Sequence, residues 1–123
     1  MLGWLEIEAE DMVAAREHLV DSLRRAQELG DSLGTSEALA VGALWCARQQ
    51  RYEHAVRLYA ASDQIADGLT FARPAMLNRR REEALAAAKG ALSVQVYKRV
   101  SLNGKVLTPA QAVAAAIDEA LAG

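Results

Sequence analysis

The chain predicts an all-α fold, a short stack of antiparallel helix hairpins. Three observations carry this. Hydrophobic residues make up 52% of the 123 residues but aromatics only 5%. The apolar content is therefore mostly Ala, Leu and Val, which suits closely approaching helices. Second, Glu10-Asp11-Met12-x-x-Ala15-x-x-x-Leu19-x-x-Ser22 returns forty residues later as Gln50-Arg51-Tyr52-x-x-Ala55-x-x-x-Tyr59-x-x-Ser62. Each copy follows an apolar helical stretch, Leu2 to Ala9 and then Val41 to Ala47. Third, no segment sustains a two-residue alternation, and Lys105-Val106-Leu107 is too short to count as a strand.

The elements follow in order. A first helix over about Leu2 to Ala9 opens without a cap, with Leu2, Leu5 and Ala9 on one face. It is a turn or two short of a complete hairpin partner. The chain is therefore either a piece of something longer or begins with a truncated hairpin, and the piece is the preferred reading. A second helix, about Met12 to Leu29, carries the stripe Met12, Ala15, Leu19, Leu23, Ala26, and Gly30 supplies its left-handed C-cap. The turn Gly30 to Ser36 leads to a third helix, about Ser36 to Gln49.

The fourth helix, about Tyr52 to Asp67, turns Ala55, Leu58 or Tyr59, Ser62, Ile65 and Ala66 inward, and Gly68 ends it. Pro74 suits the first position of a fifth helix, about Ala75 to Lys89, with Leu77, Ala84, Leu85 and Ala88 inside and Gly90 as its stop. Ser93 caps a short sixth helix, Val94 to Leu102, closed by Asn103-Gly104. Thr108-Pro109-Ala110-Gln111 forms a capping-box signature for a last helix to about Leu121, with Ala110, Val113, Ala114, Ile117 and Leu121 facing inward.

A small residue followed four positions later by a large one, after a polar turn, is the pattern of tetratricopeptide hairpins. The expected architecture is a right-handed superhelix of antiparallel hairpins with about seven helices, C-terminal closing helices included. It forms one domain over 1–123, divided into a partial first hairpin (1–30), a second hairpin (35–68) and closing helices (74–123).

The wording of the helices also resembles the C-terminal tetratricopeptide region of large bacterial LuxR-type, MalT-like, ATPase-containing transcriptional regulators. The residues that carry the likeness are Leu2-Gly3-Trp4-Leu5 before Glu10-Asp11 and the run Ala55 to Ser62. Arg79-Arg80-Arg81-Glu82-Glu83-Ala84-Leu85 and Ala91-Leu92 with Tyr97 follow. Gly104 and Leu107-Thr108 then precede an Ala-rich helix. The likeness covers almost the whole chain, with Ser93 standing where Gly is common and Ser101 where a large aromatic is. It implies a regulator's protein-interaction segment. The chemistry of that family lies in domains this chain lacks, since no Gly-rich phosphate loop and no separate basic helix-turn-helix is present.

The charge balance excludes other classes. A formal net charge of −2 with 24% charged residues gives no basic excess for nucleic acid and no acidic tail. No run approaches the roughly 20 apolar residues of a membrane span, and the start lacks signal-peptide features, so the chain reads as cytoplasmic. Cys46 lies in an apolar run and reads as a buried thiol. Arg79-Arg80-Arg81 is followed at once by Glu82 and Glu83 and reads as a solvated helix face.

His18 and His54 lack second ligands at helical spacing. Glu6, Glu8, Glu10 and Asp11 read as solubilising groups, not as an acid–base pair. No catalytic, cofactor-binding or metal-binding residue is expected, and the chain is not expected to be an enzyme.

The first helix of each stacked pair lines the concave side of such a superhelix. By that geometry Trp4, Glu8, Glu37, Leu44 and Arg48 form the candidate protein-binding face. Whether this face is open or covered by the C-terminal helices stays open here, as does the environment of Trp4. The leading expectation is a non-catalytic protein–protein interaction module at the C-terminal end of a multidomain bacterial regulator. Its partner would be its own N-terminal domains or another protein. The alternatives are a free-standing adaptor that homodimerises through its incomplete first hairpin and, less favoured, a small helical ligand carrier or enzyme.

Overall fold

Asp11 accepts a hydrogen bond from the Ala14 N–H at 3.2 Å and so caps the first of the six α-helices that lie wholly among the described residues. The computed structural model describes residues 7–67 and 75–122. In chain order these helices are α1 (Met12–Leu29), α2 (Ser32–Arg48), α3 (Tyr52–Ala66), α4 (Ala75–Ala91), α5 (Val94–Lys105) and α6 (Pro109–Ala115). A π-helical turn, Ala116–Ala120, continues α6. There is no strand among the described residues. Of the expected first helix only residues 7–9 fall within them: Ile7 and Glu8 are helical, but Ala9 is an exposed residue of the turn; Trp4, Gly68 and Pro74 lie outside.

The near-repeat becomes a repeated turn. Glu10 and Gln50 both adopt left-handed backbone, with φ of 63° and 59°. Each amide donates three residues back, Glu10 to the Ile7 carbonyl and Gln50 to the Ala47 carbonyl, both at 3.0 Å. The next residue then starts a helix: Asp11 accepts from the Ala15 amide and Arg51 from the Ala55 amide, again at 3.0 Å. At Gln50 one residue in left-handed conformation reverses the chain within a single step, so α2 and α3 pack antiparallel.

The α1 stripe is as the periodicity predicts. Ala15, Leu19, Leu23 and Ala26 are buried and Met12 packs against the core. Gly30 ends the helix in left-handed conformation, φ 64°. Helix α2 then starts at Ser32, four residues earlier than expected. Asp31, directly after Gly30, caps it by accepting from the Gly34 N–H at 2.9 Å. Gly34 permits this, because a Cβ there would sit 2.9 Å from Asp31 Cγ.

Helix α2 is buried nearly all round from Val41 to Cys46, packed between α1 and α3. Trp45 donates its indole N–H to the Met12 carbonyl at 2.8 Å, tying the end of α2 to the start of α1. In α3, Ala55, Leu58, Tyr59 and Ser62 are buried as expected. Val56, Ala60 and Ala61 join them, which gives α3 a second buried side.

That side receives α5. The sixth expected helix was to stop at Asn103-Gly104; instead α5 runs through both to Lys105. Gly104 is the buried residue of α5, and a Cβ there would lie 2.9 Å from Ala60 Cβ and closer still to the Arg57 carbonyl oxygen. The helix continues because Gly104 lets its backbone touch α3, and this contact outweighs a helix propensity about 1 kcal/mol below Ala. Gly90 is likewise inside α4, not its stop. Ala84 and Ala88 are buried as expected, while Leu77 and Leu85 are half-buried.

The capping box at Thr108 forms. Gln111 N–H donates to Thr108 Oγ1 at 3.1 Å and Thr108 N–H to Gln111 Oε1 at 2.9 Å. The buried face of the last helix differs from expectation: Ala112, Val113, Ala116, Ala120 and Leu121 are buried, Ile117 is half-buried, and Ala110 and Ala114 are exposed. Few large side chains fix the rotational phase of an Ala-rich helix. The π turn, closed by Leu121 N–H to the Ala116 carbonyl at 2.7 Å, then brings Leu121 inward.

Helix α6 packs against α1, α2 and α3 at once. Past the π turn, the carbonyls of Ala120, Leu121 and Ala122, which the helix itself leaves unpaired, find side-chain donors. Arg51 donates to the Ala120 carbonyl at 3.2 Å and the Ala122 carbonyl at 2.6 Å, and Arg16 Nε donates to the Leu121 carbonyl. Two guanidiniums also complement the negative end of the helix dipole. Residues 120–122 are thereby fastened to α1 through Arg16 and to the second repeated turn through Arg51. No helix among the described residues is long and apolar enough to cross a membrane.

Candidate functional site

Glu37, Leu44 and Arg48 recur at helical spacing on α2 and share one side of it. The structure treats them differently. Leu44 is only 3% exposed and belongs to the core. Glu37 is half-buried, and Arg48 stands at the exposed end of the helix. Leu44 and Arg48 line a cleft of about 220 Å³ whose other wall comes from Arg80, Glu83, Ala84 and Ala87 of α4. The C-terminal part of the chain thus covers the face at Leu44 and leaves a cleft beside it.

Glu8 closes the rim of that region. Its carboxylate takes a two-pronged contact from Arg80, Nε at 3.0 Å and Nη2 at 3.3 Å, and lies 3.5 Å from Arg48 Nη2. Arg80 also reaches Glu83 at 3.1 Å. The hydrogen bonds that Arg80 donates to Glu8 and then to Glu83 raise its pKa and hold the guanidinium charged. Glu8, Leu44 and Arg48 therefore converge, joined by Arg80 and Glu83, which the sequence reading had not placed there. Trp4 lies outside the described residues.

The arginine run is not a uniformly solvated face. Successive helical residues point about 100° apart, so three consecutive arginines reach different neighbours. Arg79 is exposed and Arg80 meets Glu8. Arg81 pairs with Asp63 and stacks over the Tyr59 ring at 5.9 Å, with its Nε buried and without a hydrogen-bond partner. Two of the three tie α4 to other parts of the fold. The missed signal is their order: only a run of three can serve three directions.

Cys46 is buried and its thiol approaches the Ala120 carbonyl at 3.5 Å. Burial pushes its pKa up to about 12, against the opposing pull of Arg51 and Arg57. Arg57 donates to His54 Nδ1 at 2.9 Å and pairs with Glu119 at 3.1 Å. Burial, and next the Arg57 charge, lower the His54 pKa, so the ring is a neutral acceptor. Among the described residues no three His, Cys, Asp or Glu side chains converge to hold a metal ion.

A further cleft, about 400 Å³, opens where α4 passes into α5. Lys89, Leu92, Val94, Tyr97 and Lys98 line it, and Lys89 Nζ lies 5.5 Å from the Tyr97 ring centre. Comparison with protein-family models, curated proteins and solved structures returns no match. Function must therefore be argued from the geometry.

Proposed function

We propose that this chain is a non-catalytic protein–protein interaction module, the C-terminal tetratricopeptide segment of a multidomain bacterial transcriptional or signalling regulator. The observation that carries the reading is the repeated turn. Glu10 and Gln50, forty residues apart, share their left-handed backbone and both flanking hydrogen bonds. That period and turn belong to stacked hairpins, whose usual work is to hold other proteins. The right-handed superhelix is part of the same reading. The fastening of residues 120–122 by Arg16 and Arg51 supports placing the segment at the closing end of such a stack.

Beside Leu44 the charged groups are arginines and glutamates that neutralise one another, with no nucleophile poised beside a base. Reading the gene in frame upstream of Met1 tests the setting: an ATPase or helix-turn-helix coding region is expected, and its absence overturns the regulator reading. Sedimentation at micromolar concentration should give a monomer. A dimer would favour the adaptor that pairs through its first hairpin.

A further inference from the structure

The acidic and basic residues are segregated along the chain. Residues 84–117 hold four cations, Lys89, Lys98, Arg99 and Lys105, and no Asp or Glu, so they carry +4 in a chain whose total is −2. Helix α5 brings three of these onto one short rod. Between them it exposes apolar side chains that packing would otherwise hide: Val94 is 69% exposed and Leu102 61%, and Val106 at its C-cap is 75% exposed. Val94, Lys98, Leu102 and Val106 follow at four-residue intervals, so they form a stripe along the helix. At the N-terminal end of the stripe lies the 400 Å³ cleft with Leu92, Val94 and Tyr97 as its apolar lining and Lys89 and Lys98 beside them.

Resting on the interaction-module reading above, we propose that this cleft and stripe on α5 dock an acidic amphipathic helix of a protein partner. Apolar side chains of the partner, three or four residues apart, enter the cleft and lie along Val94, Leu102 and Val106. Asp and Glu on its flanks meet Lys89, Lys98 and Lys105. Two features favour a peptide over other polyanions. Leu92, Val94 and Tyr97 line a recess that takes side chains one at a time, which a flat lipid surface would leave empty. Large exposed apolar side chains between the cations also contribute nothing to phosphate binding. Arg99 sits to one side, 3.8 Å from Glu53.

The test is a selection on the intact chain from a displayed library of randomised helical peptides, followed by anisotropy titration of the enriched sequences. The expected result is enrichment of net-negative peptides with apolar residues at three- and four-residue spacing. Their affinity should fall about tenfold or more in Lys89→Glu/Lys98→Glu and weaken with added salt. Both lysines are exposed, so the fold should survive, as a circular-dichroism melt would verify. Val94→Asp is the second variant. An acidic residue is favoured in the first helical turn, so it should spare α5 while abolishing binding.

Enriched peptides that are neutral or basic, or that ignore both variants, overturn the proposal. Enriched peptides that are instead sensitive to Arg48→Glu overturn this surface but keep the interaction-module reading, whereas no enrichment at all defeats both. Co-sedimentation with phosphatidylcholine–phosphatidylserine vesicles that Val94→Asp abolishes would make the site a membrane contact. Self-association abolished by the lysine reversals would make the occupant a second copy. Either result overturns the proposal.

Discussion

Ser36 and Ser62 clasp α2 to α3 by exchanging hydrogen bonds to each other's backbone. Ser36 Oγ donates to the Ser62 carbonyl at 3.0 Å, Ser62 Oγ donates to the Ser36 carbonyl at 2.7 Å, and the two hydroxyls lie 3.1 Å apart. Both residues are fully buried. Small side chains let the helices approach, and each hydroxyl satisfies itself without water, as a buried polar group must.

This clasp predicts a coupled pair. Ser36→Ala and Ser62→Ala should each cost about 1 kcal/mol, and the double variant less than their sum, because each single change also disturbs the surviving hydroxyl. Ser62→Leu should cost more, about 1–3 kcal/mol or above, by forcing the helices apart. Urea midpoints for the four variants check the cycle. Strict additivity would mean that the two bonds act independently.

Glycine-to-alanine substitution should have opposite signs at two helical positions. At Gly90 nothing lies within 4 Å of an added Cβ, so Gly90→Ala should stabilise by about 0.5–1 kcal/mol through helix propensity. At Gly104 the added methyl meets the backbone of Arg57 and the Ala60 side chain. Gly104→Ala should therefore cost about 1–3 kcal/mol and loosen α5 from α3. Thermal melts together with amide exchange in α5 distinguish general from local loss.

The repeated turn gives a third prediction. Gln50 holds φ 59° without being glycine, a conformation disfavoured by about 1–2 kcal/mol for side-chain-bearing residues. Gln50→Val, with its branched Cβ, should lower the urea midpoint by more than Gln50→Ala. Gln50→Gly should match or exceed wild type, since strain relief competes with added chain entropy. If Glu10 and Gln50 serve the same role, the order at position 10 will be the same.

These cases mark what the sequence could and could not convey. Caps are local, so Gly30, Ser93 and the Thr108–Gln111 box were legible and formed as read. The repeat was legible too, because Glu10-Asp11 and Gln50-Arg51 occupy the same two steps of one turn. Gly104 was misread because its effect depends on Arg57 and Ala60, more than forty residues away, and no local pattern reveals a helix crossing. The last helix was rotated for a related reason, its alanines offering no large side chain to set the phase. On the candidate face, the side of α2 was legible in Leu44 and Arg48. Its covering by α4 was not, because Arg80 reads as one of three equivalent arginines until Glu8 is placed beside it.

Arg51 should prove more than a turn residue. It holds the carbonyls of Ala120 and Ala122 and lies 5.4 Å from the Trp45 ring centre. Arg51→Met keeps the stem but leaves the helix end without these donors, at an expected cost of about 1–3 kcal/mol. Amide exchange near Leu121 should rise before that of α2. Uniform acceleration across the chain would count against a local clamp.

The buried Cys46 and the half-buried His54 make stability depend on pH in opposite directions. The Cys46 thiol ionises near 9.0 in the ordinary state and about 12 in the fold. The folded state thus resists ionisation, and its contribution is complete below about 9 and lost as pH rises toward 12. Wild type should lose stability over that range relative to Cys46→Ala, and the thiol should react with a disulfide reagent at pH 8 only at the rate of unfolding. His54 shifts the other way, lowered from 6.5 by burial and then Arg57. Its contribution is present above about 6.5 and lost as pH falls through the lower folded value, because the unfolded ring then binds the extra proton. Urea midpoints between pH 7 and 5 should fall more steeply for wild type than for His54→Gln; parallel slopes would remove His54 as the cause.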